Sequence, residues 1–237
     1  MAHAGLASPD DQRVTWVELF FDLVFVFCIT QVAALFHGHI NLATAGKALL
    51  AFWLVWWAWT QFTWALNAAN TEHAGVQLAT LVATGIAFFL AVGIPRAFGD
   101  SPLGFAVPYV AVRSVGIAVY LAVAWHNPDQ RRAVSVFALF SLAGLAAVIA
   151  GAALGGPAQY GAWGIAIALD FVAARIGAQR DGWNLHPDHF VERHGLVVII
   201  ALGETLIVAA AGLTNAPITP ETMLTAVMAV ALSGALW

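Results

Sequence analysis

Charge is the scarcest commodity in this chain. Only 9% of its 237 residues are charged, 61% are hydrophobic, and the mean hydropathy is +0.83. A soluble domain carries about 25% charged residues. A single aqueous core is therefore excluded, and the length goes into membrane spans of ~20 apolar residues each. Cysteine is almost absent. Cys28 stands alone, which excludes an intramolecular disulfide and a cysteine metal centre; inside an apolar run it reads as a small buried hydrophobe. Lys47 is the only lysine and falls at a helix end. A retinal Schiff base needs a lysine within the bundle, so that chromophore is excluded too. No basic run is present, so nucleic acid is not an expected partner. The net charge of -4 is scattered and points to no partner.

What is present is a series of apolar runs: 16–36, 46–66, 76–95, 103–124, 133–154, 158–177, 190–213 and 221–237. Short polar or turn-forming stretches separate them, among them His37-Gly-His39, Asn67 to His73, His126-Asn-Pro-Asp129, Gly155-Gly-Pro157 and Gln179 to Asp188. Lipid offers the backbone no hydrogen bonds, so runs of this length predict helices and not a barrel. The expected fold is all-α, a polytopic transmembrane bundle of about eight spans, the last one barely long enough. Residues 1–15 hold Arg13 against Asp10 and Asp11 and read as a short solvated tail, not a cleaved signal. Residues 16–237 form the membrane domain, which reads as truncated at its C-terminus. Arg13, Arg131, Arg132, Arg175, Arg180 and Arg193 fall on one side of such a bundle, against Lys47 and Arg96 on the other. The positive-inside rule then places the N-terminus in the cytoplasm, as expected of a multi-pass protein of the inner (plasma) membrane.

The charges inside the spans are the candidate functional residues. Glu18 and Asp22 lie one helical turn apart in Trp16-Val-Glu-Leu-Phe-Phe-Asp-Leu-Val-Phe-Val, on one helix face. A carboxylate at mid-bilayer costs ~3 kcal/mol on insertion scales. Arg113, Asp170 and Glu204 also fall within spans, and Glu192 and Arg193 at a membrane edge. Orientation puts Glu18, Asp22, Asp170, Glu192 and Arg193 in the cytoplasmic half, with Arg113 and Glu204 deeper. Convergence into one internal polar site is the expectation. Four acids facing one buried arginine cannot all be paired. The alternatives are a proton relay or ion site and a set of interhelical bridges that fix packing.

Other patterns carry less. His186, His189, Glu192 and His194 could ligate a metal, but Pro187 and Asp188 read as an ordinary helix start, and neither a metal nor a cofactor is expected. Trp53, Trp56, Trp57, Trp59 and Trp64 make up half of the 10 tryptophans. They serve packing, an interfacial belt or an aromatic pocket. Gln61, Thr63, Asn67 and Asn70 line either a hydrated vestibule or a solvated loop. Ala147, Gly151 and Gly155 repeat every four residues, a packing face inside the bundle or between subunits of an oligomer.

Trp16-Val-Glu-Leu-Phe-Phe-Asp-Leu-Val-Phe-Val together with Glu192-Arg-His-Gly-Leu-Val-Val-Ile-Ile-Ala-Leu-Gly-Glu-Thr205 resembles the bacterial low temperature requirement A (LtrA) family. Trp56-Trp-Ala-Trp59, Tyr109-Val-Ala-Val-Arg113 and Asp170 match as well. The resemblance runs from residue 16 onward. It implies a membrane protein, a link to growth at low temperature and a longer chain with further helices; it implies no reaction. Three readings stay open. The first is a transporter or channel whose carboxylates carry protons or small cations, with the lipid bilayer and a small ion as partners. The second is a membrane enzyme acting on a lipid or isoprenoid. The third is a sensor or assembly factor without turnover.

Overall fold

The computed structural model describes residues 5–36, 40–125, 127–177, 185–214 and 216–236. Every apolar run is a helix: α1 (Trp16–Ala34), α2 (Leu42–Ala68), α3 (Ala74–Gly93), α4 (Pro102–Ala124), α5 (Pro128–Leu154), α6 (Gly156–Gly177), α7 (Pro187–Thr214) and α8 (Pro220–Leu236). A short 3-10 turn, Ile94–Arg96, continues α3. By length and composition, 7 of these helices can cross a membrane, and α8 is shorter. No strand is found among the described residues. The connectors His37-Gly-His39 and 178–184, with Arg180, lie outside the described residues.

α5 and α7 start earlier than their apolar runs because their first turns are polar. Asn41 caps α2, its side chain accepting the Thr44 N–H at 2.9 Å. Asn127 caps α5 by accepting from Asp129 and Gln130, and Pro128 takes the first helical position, where no N–H is needed. The polar turn 129–132 therefore belongs to the helix, although its composition reads as a loop.

The small-residue repeat faces the interior. A Cβ on Gly151 would stand 2.7 Å from the Ala162 Cβ, and one on Gly144 would stand 3.3 Å from the Ala166 carbonyl oxygen. Absent side chains let α5 and α6 close together. Trp163 seals the contact by donating its indole N–H to the Val148 carbonyl at 3.0 Å. Gly155 has a different task. With Gly156 it takes positive φ values of 66° and 55° and turns the chain from α5 into α6.

Phe21, Phe25, Trp59, Phe62, Tyr109 and Trp163 are fully buried at the centre of the bundle. Phe89, Leu139 and Ile165 point outward, an apolar exterior suited to lipid. Of α7, only His189, Arg193 and Val197 are buried, all in its N-terminal half. The N-terminal tail is solvated on one side only. Ser8 N–H donates to the Ala68 carbonyl, Asn70 N–H to the Leu6 carbonyl and the Gln12 amide to the Leu66 carbonyl. These bonds pin the tail to the end of α2.

Candidate functional site

The intramembrane charges form two sites, not one. The first is centred on Arg113, midway along α4 and fully buried. Its guanidinium makes a bidentate pair with Asp170 of α6, Nη1 to Oδ2 at 2.9 Å and Nη2 to Oδ1 at 2.8 Å. Nη1 also donates to the Tyr109 hydroxyl at 2.9 Å, Nη2 to the Ser141 hydroxyl of α5 at 3.1 Å, and Nε to Gln61 Oε1 of α2 at 3.1 Å. All five donors of an arginine fork are used. Ser141 closes the ring by donating to Asp170 Oδ1 at 3.3 Å. One positive and one negative charge balance, and four helices are tied at one point.

The second site lies between α1 and α7. Glu18 is the third residue of α1 and His189 the third of α7; Asp22 and Arg193 are both seventh. The two helices run side by side in the same direction, so these positions meet at equal depth. Asp22 and Arg193 lie ~9 Å inside the helix starts at 1.5 Å per residue. Glu18 is thus at the end of its helix, in the half where orientation placed it. Its Oε2 accepts the backbone N–H of Thr15 at 2.9 Å and the Thr15 hydroxyl at 3.0 Å, which caps α1. Its Oε1 faces His189 Nε2 at 3.0 Å and Arg193 Nη1 at 3.5 Å. Asp22 Oδ1 accepts from Arg193 Nη2 and from the Trp59 indole, the latter at 2.7 Å. Arg193, expected at a membrane edge, is fully buried. Its guanidinium carbon lies 6.0 Å from the Phe21 ring centre and 5.8 Å from that of Trp59.

Asn67 fixes the His189 tautomer. Its Oδ1 accepts the His186 backbone N–H at 2.9 Å, and its Nδ2 donates to the His186 carbonyl at 2.9 Å. Those two bonds leave no choice of amide orientation. The Nδ2 group therefore also faces His189 Nδ1, at 3.2 Å, and Nδ1 must accept. The ring proton then sits on Nε2, 3.0 Å from Glu18 Oε1 but not aligned for a hydrogen bond with it. With that tautomer the charges are two carboxylates and one guanidinium. The site is one positive charge short, and Asp22 Oδ2 is buried without a hydrogen-bond partner.

The remaining expected residues do not join either site. Glu192 is exposed and accepts the Val14 N–H at 3.4 Å. Glu204 is half-buried on α7, with no hydrogen bond or ion pair among the described residues. His194 packs against Phe190 and Trp59 at 4.3 and 4.9 Å between ring centres. Among the described residues, no group of three or more His, Cys, Asp and Glu is placed to hold a metal ion. Gln61, Thr63, Asn67 and Asn70 are all buried, and their partners differ: Arg113 for Gln61, the His186–His189 turn for Asn67, Gly5 and Glu72 for Asn70.

Sequence reasoning did not place His189, Asn67 or Trp59 in the site. One signal was available: His189 and Arg193 repeat on α7 the four-residue spacing of Glu18 and Asp22 on α1. Two complementary pairs at matching spacing can dock face to face.

Helices long and apolar enough to span, joined through buried ion pairs, define a polytopic membrane helix bundle. The chain belongs to the bacterial low temperature requirement A protein (LtrA) family, whose model matches residues 13–237. It is 28% identical over 210 residues to an uncharacterized protein of Rhizobium meliloti (strain 1021), a match covering 84% of this chain and 51% of the relative. The chain thus spans about half the length of that curated relative. No solved structure matches it.

Proposed function

We propose that this bundle handles protons or small monovalent cations within a membrane transporter or channel, through Glu18, Asp22, His189 and Arg193. The observation that carries this reading is the charge count. Two carboxylates, a guanidinium and a histidine with its proton on Nε2 leave one negative charge uncompensated. An unpaired buried charge costs several kcal/mol. A proton or small cation removes that cost, and its departure restores it, which makes the site a place where an ion is held and released. Asp22 Oδ2 and Glu18 Oε1, both buried carboxylate oxygens without a hydrogen bond, are the atoms open to it. The Arg113–Asp170 clamp is the rigid neighbour: it is balanced, so it gains nothing from a proton.

The site sits at the end of the bundle where Arg13, Arg131, Arg132 and Arg175 gather. With the N-terminus in the cytoplasm of a bacterial inner membrane, it is the inner station of a path across the bilayer. A membrane enzyme acting on a lipid or isoprenoid from this edge would need Glu192, Arg193 and the nearby histidines to face the headgroups together. Arg193 and His189 instead turn inward while Glu192 turns outward.

The test is flux in proteoliposomes carrying the full-length protein, with a panel of monovalent cations and with and without a pH gradient. Flux above that of empty liposomes, dependent on one ion or on the pH gradient, is the expected result. Rates equal to empty liposomes across the panel overturn the reading.

A further inference from the structure

A second feature does not depend on the ion reading. Between α2, α4, α5 and α6 lies a cavity of ≈ 260 Å³, lined by Trp57, Thr60, Gln61, Trp64, Tyr120, Phe137 and Ala174. Trp64 and Tyr120 each stand four residues, ~6 Å, from the ends of their helices. Those ends lie on the side where α1 begins, and Trp57 stands ~16 Å from the same end of α2, so the cavity runs from near the depth where lipid heads meet lipid chains into the interior. Gln61 also bonds to Arg113, which brings the cavity next to the Arg113–Asp170 clamp.

Its chemistry is lopsided. The walls are aromatic, and the buried polar atoms without a partner lean towards donation. Gln61 is 3% exposed, and its Oε1 is committed to Arg113 Nε at 3.1 Å. That bond fixes the amide and leaves the Nε2 hydrogens unpartnered. The Trp57 indole N–H is likewise buried and unpartnered, as is the Thr60 hydroxyl. Gly116 makes room for the amide: a Cβ there would stand 2.8 Å from Gln61 Nε2 and 2.8 Å from a ring carbon of Phe62. No lining side chain carries a charge, and the nearby Arg113 has every donor used. An ionic ligand finds no counter-charge here.

Unpartnered buried donors each cost ~1–3 kcal/mol. A ligand that removes this cost is uncharged, presents hydrogen-bond acceptors without donors, and is flat enough to lie against tryptophan and phenylalanine rings. The volume is just under the ~300–1,000 Å³ of ordinary ligand pockets, so it admits one substituted ring and not a whole lipid. We infer that the cavity binds the head of an isoprenoid-type quinone, its carbonyl oxygens accepting from Gln61 Nε2 and Trp57 Nε1 and its chain left in the bilayer. Binding alone is inferred, with no electron transfer.

The test uses the full-length protein in lipid nanodiscs and isothermal titration with decyl benzoquinone, with the matching quinol and with decanol. Saturable binding of one quinone per chain is expected, at least about tenfold tighter than the quinol and with no saturable binding of decanol. Ala174→Phe puts a ring into the cavity while leaving the donor side chains in place, and should abolish binding. Gln61→Leu, Trp57→Phe and Gly116→Ala should each weaken it about tenfold. Gln61→Leu also disturbs Arg113, so Trp57→Phe decides the donor claim if Gln61→Leu loses its fold. Absence of saturable quinone binding, binding that survives Ala174→Phe in folded protein, or equal binding of quinone and decanol overturns the inference. None of these outcomes bears on ion flux.

Discussion

Asp170→Asn and Asp22→Asn make the same chemical change, yet the two sites predict unequal losses of stability. Among the described residues, Asp170 supplies the only negative charge bonded to Arg113, through two bonds of 2.8 and 2.9 Å. Asparagine there leaves a fully buried guanidinium facing only the neutral Tyr109, Ser141 and Gln61. Removing one partner of a buried pair costs ~3–5 kcal/mol. At ~2–4 °C per kcal/mol for a domain of this size, the melting temperature falls by ~6–20 °C. Asp22→Asn instead removes the surplus negative charge. The asparagine oxygen still accepts from Trp59 and Arg193, and Glu18 with Arg193 forms a balanced pair. Its cost is that of weaker bonds to Trp59 and Arg193 and of an amide NH2 buried without a partner, ~1–3 kcal/mol. Unfolding of the full-length protein in mixed micelles, followed by circular dichroism, measures both. Equal destabilisation by the two changes, or a larger loss from Asp22→Asn, refutes the charge count. The double change Arg113→Met with Asp170→Leu supplies the control. It should recover much of the stability lost in Asp170→Asn, because no charge is left buried.

Glu18→Gln should keep the α1 cap, since its amide oxygen still accepts from Thr15, and should reduce transport more than it reduces the yield of folded protein; parallel loss of both would return Glu18 to a packing role. Nitrogen NMR of selectively labelled His189 should show the proton on Nε2, and Asn67→Leu should release that preference; a proton on Nδ1 in the unmodified protein contradicts the Asn67 argument. Gly151→Val should force α5 and α6 apart and destabilise the bundle by ~1–3 kcal/mol in the same unfolding assay, since its first added carbon already meets Ala162 at 2.7 Å; an unchanged midpoint would remove that close approach.

The helices were legible in the sequence because lipid leaves the backbone no alternative, and each apolar run became one. Their starts were less so. Asn127-Pro128 and His186-Pro187 begin helices whose first turns are polar, and hydropathy reads those turns as loops. The acids were legible as anomalies, but the grouping was not. Depth along a helix can be read from residue number; azimuth relative to other helices cannot. Trp59 and Gln61 are two positions apart on α2, so they face different ways and serve different sites. That separation splits an expected single cluster in two. Arg193 looked peripheral because it lies near the start of its apolar run, yet α1 and α7 start at matching heights and bury it against Asp22. The roles of Asn67 and His189 depend on an amide orientation fixed by the backbone of His186, which no spacing rule conveys.

The most direct test of the central claim is the initial rate of proton or cation flux into proteoliposomes, normalised to folded full-length protein, for the unmodified chain and for Asp22→Asn. An ion held at an uncompensated carboxylate predicts a loss of at least about tenfold with the fold intact. An unchanged rate in folded Asp22→Asn protein would contradict it.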